Sequence, residues 1–74
     1  MTEGLDVKRL YNSLDKVREA HGVTWYKLAK YLKIDRSIFT RMKNGGKPDA
    51  DTLTKVLVWA GLEIKQFAVK NNSK

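Results

Sequence analysis

Seventy-four residues, 42% hydrophobic and 31% charged with a formal net charge of +7, make one domain close to the smallest size at which a core holds a fold without metal or disulfide. The absence of cysteine excludes a disulfide framework and thiolate chemistry, and a lone His21 cannot build a metal cluster, so neither a metal site nor a cofactor is expected. The longest apolar run, residues 56–60, has five members against the roughly 18 needed to span a bilayer, and an excess of 15 basic over 8 acidic residues suggests a polyanionic partner.

Residues 1–5 read as a loose start without the basic and apolar regions of a signal peptide, so a soluble cytoplasmic protein is expected. From Asp6 onward, Val7, Leu10, Leu14, Val17 and His21 fall on one stripe of a 3.6-residue period. Asp6 suits an N-cap and Gly22 a stop, which predicts helix 1 over about residues 6–21. His21, at the end of the stripe, reads as a partly buried packing residue.

Thr24 can cap helix 2 through its hydroxyl. Leu28, Ala29 and Leu32 then face inward with Trp25 beside them. The small Ala29 permits the close crossing that a three-residue turn imposes. Asp35 is the expected N-cap of helix 3, residues 35–44, which ends at Asn44-Gly45-Gly46. On it Phe39 and Met42 point inward with Ile38 on their flank, while Arg36, Ser37, Thr40 and Arg41 project from the other side.

After the loop at Gly46-Lys47-Pro48, Asp49 can cap helix 4, with Asp51 set against the positive end of its dipole. Leu53, Val56, Leu57 and Ala60 form its buried stripe and Gly61 ends it. Val58 lies opposite the stripe and Trp59 at its edge. A last short helix over about residues 63–69 places Ile64, Phe67 and Ala68 on one face, and residues 70–74 should fray. The expectation is a single all-α domain over residues 1–74, five short helices around one core, ordered over about residues 6–69.

Charge is uneven along this chain. Residues 24–46 hold six basic residues, Lys27, Lys30, Lys33, Arg36, Arg41 and Lys43, against Asp35 alone, which is +5 of the formal +7. A basic helix–tight turn–helix is the device with which many small proteins place a helix in the DNA major groove.

Several motifs in register resemble the Cro/phage-repressor helix-turn-helix family of the xenobiotic-response-element type, over about residues 7–68. They are Val17-Arg18-Glu19-Ala20-His21-Gly22-Val23-Thr24, then Leu28-Ala29, Ile34-Asp35-Arg36-Ser37 with Phe39, Asn44-Gly45, Lys47-Pro48, Thr52-Leu53 and Gly61-Leu62. The resemblance implies a compact five-helix domain of lambda-repressor-like type, bacterial or phage-encoded, whose third helix enters the major groove. It implies base reading by Arg36, Ser37, Thr40 and Arg41. Phosphate contacts are implied at Thr24, Trp25, Asn44 and Lys47.

Three positions depart from the family pattern. Trp25 stands where Gln is common, and its indole N–H can donate to a phosphate or its ring can pack. Lys33 stands where a glycine of positive φ is common, which costs roughly 1 kcal/mol if the turn is kept. Lys43 stands where a Glu commonly pairs with the helix 1 arginine, which leaves Arg18 for a phosphate or for Asp15 one turn away.

Arginine can donate two parallel hydrogen bonds to guanine O6 and N7, which favours Arg36 and Arg41 as base readers. Ser37 and Thr40 can donate or accept, while Lys27, Lys30, Lys33, Lys43 and Lys47 suit phosphate neutralisation. No catalytic triad, no phosphate loop after a strand and no enclosed carboxylate pair is legible, so an enzyme is not expected.

The sequence therefore suggests a sequence-specific regulator of double-stranded DNA, a repressor acting by occupancy, with no small-molecule ligand and no membrane partner. A homodimer on a palindromic site would draw on Val58, Trp59 and Phe67. Two other readings are a protein-interaction or antitoxin-like module on the same fold, and an accessory DNA-binding factor with little sequence preference.

Overall fold

Asp6 accepts a hydrogen bond from the Arg9 N–H at 3.1 Å and opens α1 (Val7–His21), which ends where Gly22 adopts φ +70° and returns its N–H to the Arg18 and Glu19 carbonyls. This computed structural model describes residues 4–69. The same capping logic sets the next boundaries. Thr24 Oγ1 accepts from the Lys27 N–H to start α2 (Trp25–Leu32), and Lys33 closes it. Asp49 accepts from both the N–H and the hydroxyl of Thr52 to start α4 (Ala50–Ala60), and Gly61 at φ +70° closes it.

Between them, α3 (Ser37–Lys43) begins two residues later than the expected cap at Asp35. Its first turn is closed by short-range bonds, Ile38 N–H to the Asp35 carbonyl and Phe39 N–H to the Arg36 carbonyl, both 3.0 Å. Asp35 still caps in function, because its Oδ1 accepts the Ser37 N–H at 2.9 Å. Arg36 therefore occupies the position before the helix, with φ −58° and ψ −29°.

Apolar periodicity converts into one core. Val7, Leu10 and Leu14 of α1 meet Leu28 and Ala29 of α2, Phe39 and Met42 of α3, Val56 of α4 and Phe67. Leu10, Leu14, Met42 and Val56 have no exposed surface. Ala29 is buried at 3% exposure, within the same core.

The C-terminal part differs from the expected fifth α-helix. Ile64–Phe67 is a 3-10 turn with a reciprocal Glu63–Gln66 capping box. Ala68 is extended at φ −72° and ψ 133°, and β2 (Ala68–Val69) pairs antiparallel with β1 (Gly4–Leu5). The Asp6 N–H donates to the Phe67 carbonyl at 2.7 Å, so the two ends of the domain are tied together. Of the expected apolar face, Phe67 is buried while Ile64 and Ala68 are exposed. Gly4 and Leu5, expected in a loose start, belong to this two-residue ladder; the expected fraying over 70–74 lies outside the described residues. The described domain is all-α in class, with four helices and a 3-10 turn. Among the described residues no helix is long and apolar enough to cross a membrane.

Candidate nucleic-acid interface

The turn between α2 and α3 keeps the shape that the glycine-bearing pattern implies, with a lysine in it. Lys33 sits at φ 60°, ψ 47°, the only non-glycine residue of positive φ described, and its N–H bonds the Lys30 carbonyl at 3.2 Å. Ile34 follows with its N–H on the Ala29 carbonyl at 3.0 Å. That left-handed lysine costs about 1 kcal/mol relative to glycine. It also places its ammonium on the exposed outside of the turn.

Two side-chain rows leave α3. Arg36, Thr40 and Lys43, spaced four and three apart, border a hollow of about 500 Å³ that Thr24, Trp25 and Tyr26 border from the start of α2. Arg41 borders a second hollow of about 370 Å³ with Ile38, Gly46 and Lys47. Ser37 lies one turn before Arg41 on the same flank. All four expected base readers are exposed, and their neighbours Phe39 and Met42 fill the core.

The stop after α3 has its own geometry. Asn44 donates its N–H to the Arg41 and Thr40 carbonyls, Gly45 adopts φ 94°, and the Gly46 N–H reaches the Arg41 carbonyl at 2.7 Å. A Cβ on Gly46 would lie 3.1 Å from that carbonyl oxygen, tighter than ordinary contact. This close return brings Lys47 back beside Arg41.

Not every expected phosphate residue shares this face. Lys27 leans with Tyr31 toward α4, where it borders a hollow with His21, Val23, Leu28 and Trp59. Lys33, Lys43, Asn44 and Lys47 are exposed around α3 and its turn. Trp25 is half-buried. Its ring stacks on Tyr11 at 5.0 Å and tilts against Phe39 at 4.6 Å, with the Arg18 guanidinium 4.8 Å above it. Packing thus accounts for most of Trp25, leaving one edge on the hollow. Burial pushes the pKa of the neighbouring Tyr11 phenol up, and the Asp15 charge adds to the push.

Arg18 is engaged inside the domain. It binds Asp15 and donates to the Val23 carbonyl at 2.8 Å, with its side chain 17% exposed. Of the two roles open to it, the structure realises the pair with Asp15.

The ion-pair map is uneven. Described salt bridges join Arg18 to Asp15 and Glu19, Lys55 to Asp51, and Lys65 to Glu63. None among the described residues involves Lys27, Lys30, Lys33, Arg36, Arg41, Lys43 or Lys47. Asp35, the one carboxylate in that stretch, is held below its ordinary pKa mainly by the Ser37 N–H and hydroxyl, with help from Arg41 and Arg36.

A residue that the sequence alone did not single out is Tyr26. It is 54% exposed, with Lys30 Nζ 5.5 Å and the Arg36 guanidinium 5.8 Å from its ring centroid. The i,i+4 spacing of Tyr26 and Lys30 is readable in sequence; the third partner lies across the turn.

On the opposite side, Tyr31 and Val58 are 73% and 76% exposed and border a hollow with Leu32 and Trp59. The His21 ring is exposed and tilts against Trp59 at 5.2 Å, so it packs at the rim and not within the core. Phe67 is 2% exposed within the core and cannot serve with Val58 and Trp59 as an interface residue. Among the described residues no group of His, Cys, Asp and Glu is placed to hold a metal ion. Comparison with protein-family models, with curated proteins and with solved structures returns no match to this chain.

Proposed function

We propose that the protein is a sequence-specific double-stranded DNA-binding regulator of lambda-repressor-like type, inserting α3 into the major groove and repressing by occupancy. The observation that carries this reading is the set of exposed cations from Lys30 to Lys47 that form no described ion pair, arranged around one short helix. Elsewhere Arg18, Lys55 and Lys65 have carboxylate partners, while Lys8, Arg9 and Lys16 have none described. A cluster of cations without internal partners repels itself, and a polyphosphate backbone relieves that repulsion while releasing counterions.

Division of labour follows from position. Arg36 and Arg41 lie one in each of the two side-chain rows and have the fork geometry for guanine. Thr40 offers a hydroxyl and a methyl between them, and Ser37 a hydroxyl beside Arg41. Lys33, Lys43, Lys47 and the Thr24 hydroxyl surround the helix at positions suited to phosphates. One domain reads few base pairs, so pairing on two-fold related half-sites is part of the proposal. Val58 and Trp59, joined by the exposed Tyr31, supply the apolar surface for it. That same apolar surface is what favours a second reading, a protein-interaction module.

Selection from a random duplex pool tests the proposal, followed by titration of the recovered duplex and a scrambled control at two salt concentrations. A preference of about 10³ or more is the expected result. Equal affinity for both duplexes, falling equally with salt, reduces the protein to an accessory factor bound by charge. No affinity for either leaves the protein-interaction reading.

A further inference from the structure

Tyr26 is a large aromatic left half in solvent on the flank of α2 that faces α3, and the core does not account for it. Its surroundings do. Lys30, one turn on, brings its ammonium to 5.5 Å from the ring centroid, and Arg36, across the turn, brings its guanidinium to 5.8 Å. Both separations fall within the range over which a ring quadrupole attracts a cation.

We propose that Tyr26 is a positioning residue: its ring holds the Arg36 guanidinium ready to read a guanine in the major groove. This rests on the DNA-binding reading and deepens it, because it predicts a guanine in the preferred site and names the group that aims the arginine at it. The Arg36 backbone is already placed. Its carbonyl accepts the Phe39 N–H at 3.0 Å, and Asp35 before it is tied to the Ser37 N–H. What remains loose is the long side chain, which has no described ion pair and would lose much rotamer freedom on docking to a base. A ring lying alongside restricts that freedom beforehand. Guanidinium donors in a rigid fork remain available at the edge while the planar group associates with an aromatic, a combination an ammonium cannot offer. Lys30 holds the ring from its own helix, so the ring is engaged from both sides of the turn.

The test uses the full chain with Tyr26→Phe, Tyr26→Leu, Arg36→Ala and the Tyr26→Leu/Arg36→Ala double variant, each checked for its helical signal and melting temperature. In the free protein, the Arg36 δ-methylene protons should show an upfield ring-current shift that persists in Tyr26→Phe and disappears in Tyr26→Leu. Titrations then use the duplex selected by the native protein and versions with each guanine replaced. Arg36→Ala should lose discrimination at one base pair by roughly 5- to 150-fold. Tyr26→Leu should weaken discrimination at that same base pair by about 2- to 5-fold, Tyr26→Phe should preserve it, and the double variant should be no worse than Arg36→Ala alone.

Additive losses in the double variant, a Tyr26→Leu effect spread evenly over all duplexes, or no ring-current shift overturns the assignment while leaving DNA binding intact. A native protein with no preference among duplexes overturns the DNA-binding reading and this inference with it; only the native titration reveals that failure.

Discussion

Arg18 and Asp15 form an ion pair one helical turn apart, with Arg18 Nη2 2.6 Å and Nε 3.0 Å from the same Asp15 oxygen. The remaining guanidinium nitrogen donates to the Val23 carbonyl at 2.8 Å, and the group covers the Trp25 ring at 4.8 Å. One side chain therefore binds the end of α1, the loop after it and the start of α2. Arg18→Ala should destabilise the domain by about 1–3 kcal/mol, read as a lower urea midpoint, because it strands a loop carbonyl and uncovers an aromatic. Duplex affinity at temperatures where the variant is folded should stay within about twofold, since register on a duplex is set by groups that reach the phosphates and the Arg18 guanidinium is engaged by Asp15 and the Val23 carbonyl.

Lys33 combines two effects that substitution separates. Lys33→Gly relieves a left-handed backbone and should be more stable than Lys33→Ala by about 1 kcal/mol in urea unfolding. Both variants lose the same charge, so both should show a shallower dependence of log affinity on log salt, by about 0.9. A stability gain equal in the two would show that the lysine is not strained in solution.

Thr52 holds the Asp49 carboxyl below its ordinary value of 3.8 through its hydroxyl and backbone N–H, and Ser37 does the same for Asp35. A carboxyl depressed in the folded state contributes stability that is complete well above its unfolded pKa and is lost as pH falls through the folded value. Urea midpoints should accordingly be level above about pH 5 and decline toward pH 3 and below. Asp49→Asn, which can still cap without titrating, should flatten part of that decline; an unchanged acid profile in this variant would remove Asp49 from the account.

Arg41 and Lys47 border the same hollow yet should behave differently. Arg41→Ala should cost about 1–3 kcal/mol at one guanine-bearing base pair and relax preference there. Lys47→Ala should weaken all duplexes nearly alike and reduce the salt slope by about one contact. With five to seven phosphate contacts the native slope lies between about −4 and −6. Titration of the selected and scrambled duplexes at several salt concentrations distinguishes the two residues.

Much of this arrangement is legible in the sequence because it is local. The caps at Asp6, Thr24 and Asp49 and the stops at Gly22 and Gly61 depend on groups three or four residues away. The inward Leu28-Ala29 and Phe39-Met42, and the outward Arg36, Ser37, Thr40 and Arg41, follow from helical period. The late start of α3 was less accessible, since Asp35 can cap with a helical or a tighter first turn and only the bonding to Ile38 and Phe39 distinguishes them.

Short windows of sequence therefore encode the four α-helices, the centre of each inward stripe and the concentration of charge on the third helix and its turn. On α4, by contrast, Leu53, Leu57 and Ala60 are only half-buried, and Thr52 is the buried neighbour of Val56. Tertiary structure alone decided which partner each ambiguous side chain takes. It set Trp25 between Tyr11 and Phe39, turned Lys27 toward α4, and brought Tyr26 under Arg36. It also replaced the expected last helix by a 3-10 turn with Phe67 in the core, because Ala68 and Val69 pair with Leu5 and Gly4 more than sixty residues earlier. Such contacts depend on how helices cross and where the ends meet, and no local pattern encodes them.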